Sequence, residues 1–142
     1  MTEFPGEDRR SEARERALGL LYEAETKGCT IDDALAAAPI APDELAVALA
    51  RGVEAHRDQL DELLGRHAKG WTVPRMAMLD RTVLRIATFE LLERPETPVA
   101  VVLNEAVELA KGYGSTDDTY SFVNGVLSAI AAEVRGPGDT VR

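Results

Sequence analysis

MAMLDRTVLRIATFELLER, residues 76–94, is the stretch on which the reading of the fold turns. Met78, Leu79, Val83, Leu84, Ile86, Ala87, Phe89 and Leu91 leave it little polar face. A helix that is apolar nearly all round belongs in the middle of a fold, with other helices packed about it. The flanking sequence supplies those helices. Upstream, Ala13, Ala17, Leu20, Leu21 and Ala24 form one stripe, which predicts a helix from Arg10 to about Lys27, ended by Gly28. Residues 31–38 read as a short helix bounded by Pro39 and Pro42. Asp43 then opens a long helical stretch through Leu45, Leu49, Val53, Leu60, Leu63 and Leu64, with a bend or break at Gly52 or around residues 56–58. Residues 69–74 combine Gly, Trp and Pro, the composition of a connection, and Trp71 is expected to pack over that seam. Downstream, Thr97-Pro98 reads as a helix start with Thr97 as the cap. Val99, Val102, Leu103, Ala106 and Leu109 are its buried stripe, and Gly112 and Gly114 stop it. Asp117 or Asp118 caps a last helix carrying Phe122, Val123, Val126, Leu127 and Ile130, and Gly136-Pro137 ends it.

The expected class is therefore all-α. A chain of 142 residues, 45% apolar and only 5% aromatic, suits a single helical domain. Its expected limits are residues 9–135, between a disordered acidic leader at 1–8 and a disordered tail at 136–142. Cys29 is the only cysteine, so no internal disulfide can form, and the polar acidic start is unlike a secretory signal. The cytoplasm is the expected compartment. Charges interrupt every candidate helix, so no membrane span is expected.

A net charge of −9 argues at first against nucleic acid, because phosphate binding is driven by Lys and Arg. The distribution matters more. Residues 9–16 carry four arginines against two glutamates, and residues 69–94 are also net positive, with Arg75, Arg81 and Arg85 beside Asp80 and Glu90. Two basic islands sit in an acidic chain.

No arrangement suited to catalysis is present, and the chain reads as a binding protein rather than an enzyme, with no cofactor. His56 and His67 lack companions at metal-ligand spacing, so no metal site is expected. Cys29 has no His or Cys partner nearby. Asp32-Asp33 and Asp117-Asp118 fall at helix starts, where carboxylates stabilise free amides. Lys111-Gly112-Tyr113-Gly114 lacks the Lys-Ser/Thr and the preceding strand of a phosphate loop.

What remains is surface. At about 100° per residue, Arg10, Arg14, Leu18 and Tyr22 fall along one flank of the first helix, with Arg9 and Arg16 on a neighbouring flank. Guanidinium forks beside an aromatic ring suit single-stranded RNA, whose phosphates pair with arginine and whose bases stack. The alternative is that these arginines pair with Glu12 and Glu15 or are simply solvated.

The run Arg9-Arg10-Ser11-Glu12-Ala13-Arg14-Glu15-Arg16-Ala17, continued by Leu20-Leu21-Tyr22-Glu23, resembles the opening of the NusB family of bacterial transcription antitermination factors. Further resemblance lies in residues 79–87, Glu90-Leu91, the run from Asn104 to Lys111, and Phe122-Val123-Asn124-Gly125-Val126-Leu127. It spans about residues 9–132 and is weakest between Cys29 and Gly70. The resemblance implies about seven helices in two three-helix bundles. It also implies binding to the boxA-type RNA of ribosomal RNA transcripts together with the ribosomal protein NusE, within an RNA polymerase antitermination complex. By the same resemblance, Arg9, Arg10 and Arg14 match the arginine-rich motif, and Tyr22 matches the aromatic that follows it. Asp80, Asp118 and Phe122 match positions near RNA or NusE. The expected RNA surface is the first helix, Arg16 included, with the segment from Asp118 through Phe122 to Asn124. The expected NusE surface is the helix bearing Asp80 and Arg81. Asn124 could instead serve a helix–helix hydrogen bond.

Ser11 and Glu12 stand where the family often has arginines, so a basic NusE partner is expected to supply part of the missing positive charge. Two rivals stay open. One is the RNA-binding module of a ribosomal RNA methyltransferase, disfavoured by a chain that stops at Arg142. The other is a protein-interaction module without RNA binding. An exposed apolar strip on either bundle would support a homodimer.

Overall fold

The stretch at 76–94 becomes the helix α5, Met78–Glu93, in which every residue from Thr82 to Leu91 is buried. The computed structural model describes residues 5–68, 70, 72, 76–113 and 116–136, so Trp71 and Gly114 lie outside the described residues. Around α5 are α1 (Pro5–Lys27), α2 (Ile31–Ala37), α3 (Glu44–Ala55), α4 (Arg57–His67), α6 (Val99–Lys111) and α7 (Asp117–Arg135), with no strand among the described residues. Helices α1, α2 and α3 form one bundle, and α5, α6 and α7 form the other. Helix α4 lies on α5 and α7, while α5 also packs on α1 and α3 and so joins the two halves. No helix among the described residues is long and apolar enough to cross a membrane.

Local chemistry sets most boundaries. Thr30 caps α2 in a reciprocal box with Asp33. Asp43 caps α3 by accepting from the amides of Leu45 and Ala46. Gly28 takes φ +67° after α1, a conformation that favours glycine.

Three boundary expectations are corrected. Helix α1 starts at Pro5, so residues 5–8 are helical rather than leader; proline is tolerated in a first turn. Thr97 does not cap α6, whose cap position is Pro98 without a side-chain bond; Thr97 is buried instead. Helix α7 is capped by Thr116, whose hydroxyl accepts from the Thr119 amide, and Asp117 and Asp118 occupy the first turn. The expected break in the long stretch is present at His56, the second of the two places the sequence offered, while Gly52 lies within α3.

Gly52 has a different task. A Cβ at this position would overlap the Phe89 ring, so glycine is what lets α3 approach α5 closely. The His56 ring completes the contact, 5.6 Å from Phe89 between centroids, with Nδ1 2.9 Å from the Gly52 carbonyl oxygen.

Arg135 closes the other end of α5. Its guanidinium donates to the carbonyls of Glu90 (3.0 Å), Leu91 (3.0 Å), Arg94 (2.9 Å) and Thr97 (2.5 Å). The Glu90 and Arg94 carbonyls also accept from the Arg94 and Thr97 amides, so one side chain from α7 adds donors at a helix end where backbone donors run short. Nearby, Glu133 joins α7 to α4 by accepting from Arg66 and pairing with His67 Nε2 at 2.6 Å. The hydrogen bond from His67, then that from Arg66, holds the Glu133 carboxyl below the usual carboxylate value.

Replacing Gly52 with Ala should lower unfolding stability by about 1–3 kcal/mol in urea titrations, because the Phe89 ring must move. For Glu133 the depressed folded value stabilises the fold above the ordinary carboxylate range, and that contribution is lost as pH falls through the folded value. Glu133→Gln should therefore be less stable than the parent at neutral pH. The difference should vanish in acid, once the carboxyl is protonated in both folded and unfolded chains.

Candidate nucleic-acid interface

The flank of Arg10, Arg14, Leu18 and Tyr22 divides in the folded chain. Arg10 and Tyr22 are exposed, but Leu18 is 0% and Arg14 3% exposed. Arg14 turns inward because α1 packs there against α5 and α6. Its Nε and Nη2 donate to Glu90 Oε2 and Oε1 at 2.7 and 2.9 Å, and Nη1 reaches Glu105 Oε1 at 3.3 Å. Ser11 donates to the same Glu105 oxygen at 2.7 Å. The expected exposed role of Arg14 is thus corrected: its partners are Glu90 and Glu105, across the helix interface, and not Glu12 or Glu15. Arg16 is half-buried and donates to the Ile40 carbonyl at 2.8 Å. The side chain of Arg9 lies outside the described residues.

The second basic island is also turned inward. Arg85 forks onto Asp61 at 2.7 and 2.8 Å, and Arg81 pairs with Glu25. Arg81, expected at a partner surface, has a side chain only 12% exposed, so its guanidinium serves the contact between α1 and α5. Arg75 lies outside the described residues.

Other expected residues do converge. Met76, Ala77 and Asp80 from the start of α5 meet Asp118, Thr119 and Phe122 from the first turns of α7 around a cleft of about 200 Å³. Asp118 and Phe122, four apart, share a helix face. The cleft offers carboxylate acceptors beside apolar walls, so it can receive an amino, amide or guanidinium donor carried on a flat or apolar group. Thr26, one turn beyond Tyr22, contacts Met78 Sδ at 3.8 Å, which brings that end of α1 to the start of α5. Arg10 lies about 18 Å back along α1 from Tyr22. Asn124 is exposed, two residues and about 200° round α7 from Phe122, away from the cleft face.

The turn between α6 and α7 carries a cation and aromatic rings as well. Lys111 Nζ sits 5.7 Å from the centroid of the Tyr120 ring, and Tyr113 is 43% exposed. Burial, then the Glu15 carboxylate, raises the Tyr113 hydroxyl above its usual value.

The NusB family model matches residues 11–132. The transcription antitermination protein NusB of Saccharopolyspora erythraea is 47% identical over 139 residues, covering 94% of this chain and 90% of the relative. NusB of T. maritima is similar in structure, with a TM-score of 0.80 at 29% identity over 99% of both chains. A chain from a crystal structure of the antitermination factors NusB and NusE in complex with dsRNA has a TM-score of 0.74 at 25% identity, covering 89% of this chain and 98% of that one.

Arg14→Ala should cost about 3–5 kcal/mol of stability, since it leaves the buried Glu90 carboxylate uncompensated. Arg10→Ala, at an exposed position, should cost less than about 1 kcal/mol. In urea unfolding, Arg14→Ala combined with Glu90→Ala should cost less than the sum of the two single changes.

Proposed function

This chain belongs to the NusB family, and we propose that it is a cytoplasmic, non-enzymatic transcription antitermination factor. In this reading it binds boxA-type RNA of ribosomal RNA transcripts together with NusE and so promotes processive transcription by RNA polymerase. The observation that carries the site assignment is the cleft where Asp80, Asp118 and Phe122 meet, three residues drawn from distant parts of the sequence. Phe122 offers a stacking face, and Asp118 accepts from base or amide donors while repelling phosphate. Tyr22 extends the surface along α1, and Arg10, with Arg9, supplies the phosphate contacts. Asn124 contributes a base-edge contact farther round α7. Arg14 serves the site by fixing the rotation of α1, and Arg16 by holding the loop at Ile40. Asp80, with Arg81 behind it, faces NusE.

Arg14, Arg81 and Arg85, three of the arginines in the two basic islands, are engaged inside the fold of a chain whose net charge is −9. The partner must therefore bring positive charge, and RNA binding by this chain alone is expected to be weak. A specific observation thus also favours the rival reading, an interaction module that has lost RNA binding.

Labelled boxA RNA should be titrated with the protein alone and with NusE, at two salt concentrations. Tight binding is expected only with NusE. Arg10→Ala should reduce the salt slope by about 1, as loss of one phosphate contact does. Phe122→Ala should weaken binding by about 1–3 kcal/mol without changing the slope. NusE binding with no effect on RNA would establish the interaction module instead.

A further inference from the structure

A second cleft, of about 430 Å³, opens between the outer face of α1 and the chain that enters α3. Its apolar lining is small: Ala13, Gly19, Ala41, Pro42 and Ala46. A Cβ at Gly19 would meet nothing within 4 Å, so the cleft is open there. Beside it, in the loop whose carbonyl Arg16 holds, Ile40 is 71% exposed, a large apolar side chain left in water. Glu12, Glu15 and Asp43 line the same cleft. Among the described residues, neither Glu12 nor Glu15 has a hydrogen-bond or ion-pair partner, and the capping bonds of Asp43 use Oδ1 alone.

We propose that this cleft docks a basic segment of a partner protein, one that seats an apolar side chain against Ile40 and the small-residue floor and places Lys or Arg on Glu12, Glu15 and Asp43. Charge complementarity selects this occupant. Three carboxylates repel RNA phosphate, and the single lining guanidinium, Arg16, is committed to Ile40. A second copy of this chain is a poor complement, being itself net −9 with Arg14, Arg81 and Arg85 already in internal ion pairs. Glu12, Glu15 and Gly19 point roughly 140–200° round α1 from Arg10. A partner in the cleft therefore leaves Arg10 clear, while Tyr22, about 120° round α1 from Arg10, borders the cleft one turn beyond Gly19.

The test is a nuclear magnetic resonance titration of the full chain with the synthetic peptide acetyl-KLRKLAKR-amide, alongside a control in which both leucines are glycine. Shifts are expected at Gly19 and through residues 40–46, with the control at least about fivefold weaker. The surface variant Glu12→Gln with Glu15→Gln should weaken the leucine peptide by about fivefold. Equal binding of both peptides, or unchanged binding by the double variant, would overturn the proposal in favour of diffuse attraction to an acidic surface. Displacement of the peptide by boxA RNA would make the cleft part of the RNA face, and a sedimenting dimer dissociated by the peptide would make the occupant a second copy. Either result also overturns it. The peptide readout contains no RNA or NusE, so its failure is separable from failure of the RNA titration.

Discussion

The ion pair between Arg14 and Glu90 is the constraint on which the surfaces of this protein depend. Both side chains are almost wholly removed from water, at 4% and 3% exposure. Such a pair persists only when geometry and further hydrogen bonds offset desolvation. Here the guanidinium meets the carboxylate with two nitrogens, and Glu105 takes its third, itself held by Ser11. The pair joins α1, α5 and α6, so it fixes how α1 is rotated against the second bundle. That rotation leaves Arg10, Glu12, Glu15, Gly19 and Tyr22 exposed, with Arg10 turned about 140–200° away from the two glutamates and Gly19.

The other arginines follow the same logic. Arg85 and Arg81 tie α5 to α4 and α1, and Arg135 serves carbonyls at the end of α5. Cations are drawn to the central helix because it is flanked by carboxylates and its carbonyl end carries partial negative charge, both of which attract donors. With those cations turned inward on a chain of net charge −9, the proposed function expects weak phosphate binding by the chain alone, despite its basic-looking first helix. In the proposed function, binding rests on aromatic and acceptor groups at the cleft between α5 and α7, with positive charge supplied by the partner.

Much of the fold was legible in the sequence because helical periodicity is local. The near-continuous apolar face of residues 76–94 marked the central helix, and the stripes of Ala13 to Ala24 and of Val99 to Ala106 identified two of its neighbours. The errors were at ends. Thr97 and Asp117 were plausible caps by residue type, but the residues that occupied those positions were Pro98 and Thr116, one step away in each case. Gly52 looked like a breaker, since nothing local reveals that a phenylalanine thirty-seven residues on needs its missing side chain.

For the site, the sequence by itself determined which residue types were present and which of them share a helix face, Asp118 with Phe122 among them. Only the tertiary structure decided what each charge faces. The partner of Arg14 lies 76 positions away, beyond the reach of any spacing rule. An arginine on a flank is the same in sequence whether it meets a phosphate or a buried glutamate. Which of these it meets depends on how the two bundles pack, because only packing brings Glu90 to it and removes the water that would otherwise solvate both.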